Sequence, residues 1–100
     1  MSTNEIVKMF VDKYNEEKDV FDFPSLYYCG ITNDLEQRLK YGHKVTGNYW
    51  YYQCENVEQS REVEKKLGEA GFDIGDRWGN GTDDSVYVYM YRKVPNVTEE

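Results

Sequence analysis

The chain has 100 residues, 39% hydrophobic and 31% charged, enough for one domain with one modest core. Ten of its 16 aromatics are Tyr, too many large rings for a disordered segment, and two Cys are too few for a disulfide framework or a four-thiolate zinc site. A net charge of −7 argues against a grip on nucleic acid by bulk charge, and no apolar run approaches the roughly 18 residues of a membrane span.

Met1 to Lys18 lacks a signal peptide's apolar stretch, so a cytoplasmic location is expected. Ser2-Thr3-Asn4-Glu5 reads as a capping box, a hydroxyl at the helix start with a Glu three residues on. Ile6, Val7, Phe10, Val11 and Tyr14 follow at helical spacing, which predicts a helix over 4–17. Val20 to Phe23 is short, aromatic and β-prone, and Pro24-Ser25 offers a turn. Leu26 to Ile31 is a second strand, so a tight hairpin is expected there.

Asn33 with Glu36 is another capping box, opening a helix that runs to about Tyr41 and stops at Gly42. Asn48 to Cys54 is strand-like, and its run Tyr49 to Tyr52 suits either sheet packing or the stacking of bases. Asn56 and Gln59 form a third box, and Val63, Leu67 and Ala70 mark a helix over 57–70 with Gly71 as its stop. Residues 73–84, with four Asp and three Gly, read as a long loop. Val86 to Val94 is the last strand, with Val86, Val88 and Met90 on one face and Tyr87, Tyr89 and Tyr91 on the other. The tail after Pro95 is expected to be loose. The whole is one α+β domain over 1–100: a small antiparallel sheet flanked by helices, with an extra N-terminal helix before a core at 20–94.

Charge is uneven along the chain. Only residues 26–54 are net positive, with Arg38, Lys40 and Lys44 against Asp34 and Glu36. Within that segment, a strand ends in Tyr28-Cys29-Gly30 and a helix follows with Arg38 in its second turn. Period 2 puts Tyr28 and Gly30 on one sheet face, and the missing side chain at Gly30 leaves room beside Tyr28 for something bulky. On a regular helix Arg38 lies about 60° from Leu35 and about 100° from Leu39, at the border of the buried stripe. Glu64 lies at the same kind of border in the later helix, about 60° from Leu67. A phenol, a guanidinium and a carboxylate converging on one face suit phosphodiester hydrolysis. The phenol, if deprotonated or hydrogen-bonded to water, can serve as base, Arg can bind a phosphate oxygen, and a lone Glu can hold one Mg²⁺. The plainer alternative is packing for Tyr28, a pair with Asp34 for Arg38, and a pair with Arg61 or Lys66 for Glu64. Cys29 and Cys54 read as buried thiols, and His43, the lone His, sits at a helix end where the dipole favours it.

The stretch Tyr28-Cys29-Gly30-Ile31-Thr32-Asn33-Asp34-Leu35-Glu36-Gln37-Arg38-Leu39-Lys40-Tyr41-Gly42-His43 strongly resembles the second half of the GIY-YIG nuclease signature. Val63-Glu64-Lys65-Lys66-Leu67 is similar to that family's later metal-binding helix. The first signature, Gly-Ile-Tyr on a preceding strand, is absent, and Val20-Phe21-Asp22-Phe23 stands in its place. The resemblance implies a divalent-metal-dependent DNA endonuclease using Mg²⁺ or Mn²⁺. It implies Tyr28 and Arg38 as catalytic residues, Glu64 as catalytic residue and metal ligand, and Gly30 and His43 in support. DNA is the expected partner, held weakly by so acidic a chain. The alternative is a catalytically lapsed copy that meets a basic protein partner through its acidic surface.

Overall fold

The computed structural model describes residues 1–42, 48–75 and 84–94, with residues 41 and 42 by their backbone alone. The expectations at His43, in loop 76–83 and in the tail after Pro95 lie outside these residues.

Helix α1, Thr3–Glu17, begins where its capping box placed it. The Ser2 hydroxyl accepts from the Glu5 N–H at 3.2 Å, and the Glu5 carboxylate accepts from the Ser2 N–H at 3.0 Å. Ile6, Phe10 and Tyr14 form its buried stripe. The expected strand at 20–23 does not form. Residues 20 and 21 make a turn instead, followed by a single 3₁₀ turn, Pro24–Leu26, with Pro24 at its start. The turn is held at Asp22, whose N–H donates to the Asp19 carbonyl at 3.0 Å and whose carboxylate accepts from the Asp19 N–H at 3.0 Å. Arg92 closes on the same carboxylate at 3.1 Å. Aromatic and β-branched residues favour strands only where a sheet face can cover them, and Val20 and Phe21 are 90% and 91% exposed.

The strands are β1 (Tyr27–Thr32), β2 (Tyr49–Gln53) and β3 (Tyr87–Arg92). Their order is β1-β3-β2, antiparallel throughout, so the last strand in the sequence is the middle one in space. Helix α2, Val57–Glu69, starts on Asn56, whose side-chain oxygen accepts from the Gln59 N–H at 2.8 Å. The Gln59 amide oxygen accepts from Glu55 rather than from Asn56, one residue off the expected box. Beyond α2 the backbone turns at Gly71 in the left-handed region, φ 105°, as its place after the helix predicted.

The two sheet faces pack differently. Tyr27, Cys29, Ile31, Val88 and Met90 point to the face covered by α1 and α2, against Ile6, Phe10, Tyr14, Val63 and Leu67. Tyr28, Tyr89 and Tyr91 point to the other, where Leu39 and Leu35 cover them. Both follow the period-2 assignments made from sequence. Cys29 and Cys54 are free and buried, as expected. No helix among the described residues is long and apolar enough to cross a membrane.

Candidate functional site

Thr32, at the end of β1, shapes the turn into the next helix. Its hydroxyl accepts from the Asp34 N–H at 3.1 Å. Asp34, not Asn33, then caps the helix, its carboxylate accepting from the Gln37 N–H at 3.1 Å. The Asn33 side chain turns away and donates to Asp84 at 3.2 Å. Residues 35–42 are helical, but the last six, Gln37–Gly42, take the wider π form. The angles expected of a regular helix therefore do not hold there, since the π turn carries more residues. Leu39 is still buried and Arg38 exposed, so Arg38 stands at the open border of this element.

Arg38 reaches the tyrosine face of the sheet. Its guanidinium lies within hydrogen-bonding range of the Tyr89 phenol and feels Tyr28 and Tyr91 as well, all of which hold its charge more firmly. Sequence reasoning placed Arg38 over Tyr28 and missed Tyr89. Tyr89 pairs with Gly30 across β1 and β3, and its ring lies in the space that Gly30 leaves open. The bulky group admitted there belongs to the chain itself. Tyr89 packs between its neighbours at 6.3 Å from Tyr28 and 6.5 Å from Tyr91, both stacked. Burial pushes its phenol well above the ordinary tyrosine range, although Arg38 pulls the other way. Tyr89 therefore stays protonated at neutral pH, and toward Arg38, which can only donate, its phenol oxygen is the acceptor. Period 2 had put Tyr89 on this face, but only the β1-β3 register reveals that it meets Gly30.

Tyr28 is also buried, and a segment after α2 borders it. Asp73 bridges to Tyr28, with the Cys29 N–H donating to the Asp73 carbonyl at 2.8 Å and the Asp73 N–H to the Tyr27 carbonyl at 3.0 Å. Gly75, at φ 72°, lies against the Tyr28 phenol, and a Cβ there would stand 3.2 Å from its oxygen. The Asp73 carboxylate accepts from the Gly75 N–H at 2.8 Å and pairs with Lys93 at 2.7 Å, which fixes this segment along the outer edge of β1.

Glu64 departs from the expectation of one shared face. It belongs to α2, which packs on the face opposite Arg38, and it is only 6% exposed. Gly68, one turn further on and on the same side of α2, faces Ile74 in the segment bordering β1. Glu64 itself is one of the buried residues of α2. Its charge is felt on both faces, raising the proton affinity of Cys29 on one and of Tyr89 on the other. The structure puts Tyr28 and Arg38 on one sheet face and Glu64 on the helix that packs against the other, so the three do not converge as expected. Among the described residues no three of His, Cys, Asp and Glu stand close enough to hold a metal ion as a cluster.

No family model matches the chain, and comparison with curated proteins and with solved structures gives no significant match.

Proposed function

We propose that the chain is a GIY-YIG-like, divalent-metal-dependent DNA endonuclease whose centre is built on Tyr28 and Arg38. The observation that carries this reading is the exposed Arg38, whose guanidinium reaches a cluster of buried phenols on the sheet face away from α1 and α2. A guanidinium is permanently charged and its planar fork matches two phosphate oxygens. Tyr89 adds support. The signature resemblance has two tyrosines on adjacent strands, and the first is missing from its place in the sequence. Here β3 lies beside β1 and sets the Tyr89 phenol against Tyr28.

In this reading Arg38 binds a non-bridging oxygen of the phosphodiester and steadies the charge that develops as water attacks phosphorus. Tyr28 orients that water and, as its phenolate, takes the proton and becomes the neutral phenol. Tyr89, kept protonated, holds Arg38 in place. Glu64, though on the helix that covers the opposite face, is the carboxylate that would hold Mg²⁺ or Mn²⁺. One carboxylate fits such an ion, which commonly keeps its waters and takes its remaining oxygens from substrate phosphate. Bound there, the ion would supply neutralisation of the phosphate charge.

Purified protein incubated with supercoiled plasmid and Mg²⁺ or Mn²⁺ tests the reading. Nicking is expected, and Arg38→Ala and Glu64→Gln should each lower it by about a hundredfold or more with native circular dichroism. A fully active Glu64→Gln would remove the metal role from that residue, and no nicking with either metal would overturn the enzyme.

A second reading has its own observation. Val20, Phe21 and Phe23 are exposed beside Glu16, Glu17 and Asp19, on a turn pinned by Asp22 and Arg92. An apolar tip on an acidic base suits insertion into a protein partner with a basic rim. A lapsed enzyme used as a binding module would show this turn, and not Arg38, as its sensitive surface.

A further inference from the structure

The tyrosine face does not end at the candidate centre. By the strand registers, Tyr28 and Gly30 of β1, Tyr87, Tyr89 and Tyr91 of β3, and Tyr49, Tyr51 and Gln53 of β2 share one face. Exposure rises across it. Tyr89 and Tyr91 in the middle are fully buried, whereas Tyr49 and Tyr51 on β2 are 42% and 54% exposed. Their rings are 6.2 Å apart, and Tyr51 meets Tyr87 at 6.3 Å. A row of open rings therefore continues the surface over which Arg38 stands.

We infer that this row binds an unpaired, single-stranded segment of DNA, its bases stacking on Tyr51 and Tyr49 while its backbone passes the Arg38 guanidinium. The inference deepens the nuclease reading, on which its choice of DNA rests. Two considerations favour an unpaired strand over a duplex. In a duplex the base faces are hidden by their neighbours at about 3.4 Å along each strand, whereas an unpaired strand leaves them free to stack on the half-open Tyr49 and Tyr51 rings. And a chain of net charge −7 is a poor partner for the doubled phosphate density of a duplex, whereas stacking needs no cation.

The test uses the full chain in EDTA, so that no cleavage intervenes. A labelled oligothymidine of about 12 nucleotides, within the range of known single-strand sites, is compared with a duplex of the same length by fluorescence anisotropy. The single strand is expected to bind more tightly. Tyr51→Ala should weaken it by between about fivefold and a hundredfold, the range for one lost stacking ring, while Tyr51→Phe keeps the affinity. The salt slope should be shallow, about −0.7 to −1.4 for one or two phosphate contacts. Tyr51 is half exposed on an edge strand, and circular dichroism of each variant checks that the fold survives. Tighter binding of the duplex, or an affinity indifferent to Tyr51→Ala in a folded variant, overturns the inference. So does a proline-rich peptide binding this face when oligothymidine does not. Adding Mg²⁺ separates the two readings. Ring-dependent binding without cleavage keeps the surface and removes the nuclease, and duplex cleavage indifferent to Tyr51 keeps the nuclease and removes the surface.

Discussion

Gly30→Ala is the sharpest probe of how the site is assembled. A Cβ at Gly30 would meet the end of the Tyr89 side chain, with the phenol oxygen nearest, Cζ at 2.7 Å and Cε1 at 3.1 Å. An exposed tyrosine would swing aside, but Tyr89 is fully buried and stacked on both Tyr28 and Tyr91. One added methyl in such a place costs about 1–3 kcal/mol by overpacking. Against that, removing a glycine from a strand regains about 0.5–1 kcal/mol. The two ranges leave a loss of up to about 2.5 kcal/mol, and a ring held on both sides puts it at about 1 kcal/mol or more, roughly 1 M in the urea midpoint for a domain of this size. The control is Tyr89→Phe, which deletes the atom nearest the new methyl. In that background Gly30→Ala should be milder, and the difference is the coupling of a double-mutant cycle. Equal stability of Gly30→Ala and the parent would refute the packing argument. An identical loss in both backgrounds would show that strain at Gly30, not the phenol, sets the cost.

Other outcomes follow from single contacts. The Arg92 pair holds the Asp22 carboxyl below its usual range, so its share of stability is present above the unfolded carboxylate pKa and fades as pH falls through the lower folded value. Asp22→Asn should flatten the acid limb of a stability–pH curve, and an unchanged limb would count against the contact. Burial raises the Cys29 thiol well above normal and the Cys54 thiol to about 11, so neither should react with a thiol reagent at pH 8 until the chain is unfolded. Rapid labelling of native protein would contradict that placement. Ser60 is wholly buried and its hydroxyl reaches the Val57 carbonyl at 2.8 Å and the Ser85 carbonyl at 2.6 Å, tying α2 to the approach to β3. Ser60→Ala should cost about 1 kcal/mol in urea denaturation, and a neutral result would make that tie dispensable.

What could be read in advance was local. Ser2 with Glu5, Asn56 with Gln59, and Gly71 announce helix ends because a cap needs only residues three or four apart. Alternation along Tyr27–Thr32 and Tyr87–Arg92 sorted the two faces because a strand's period belongs to the strand itself. Asn33 was mistaken for a cap because Asp34, one residue on, offers the same chemistry, and only the Thr32 turn decides between them. Val20 to Phe23 has strand composition without a partner strand, and composition cannot show that the place beside β1 is taken. That Arg38 follows a strand ending at Tyr28 is legible in the sequence, but the regular-helix spacing that set it at the border of the buried stripe does not hold in the π segment. The contact of Arg38 with Tyr89 is not legible, because the two lie 51 residues apart and meet only through strand pairing.

On the proposed reading, that pairing brings the two tyrosines of the site, Tyr28 and Tyr89, from distant parts of the sequence. β1 and β2 do not touch each other, and both lean on β3, the last strand to be made. The expected hairpin would have supplied the neighbour of β1 from residues 20–23, leaving Phe21 or Phe23 where a phenol is wanted. With β3 in the middle, the neighbour of β1 is Tyr87–Arg92, and Gly30 faces a tyrosine instead. The same strand carries Tyr87 and Tyr91 toward β2, so one insertion both closes the polar centre at the β1 edge and extends the ring surface to Tyr49 and Tyr51. A buried phenol beside an exposed guanidinium, with open rings next to it, is then one consequence of strand order acting on a tyrosine-rich alternation, not three separate features.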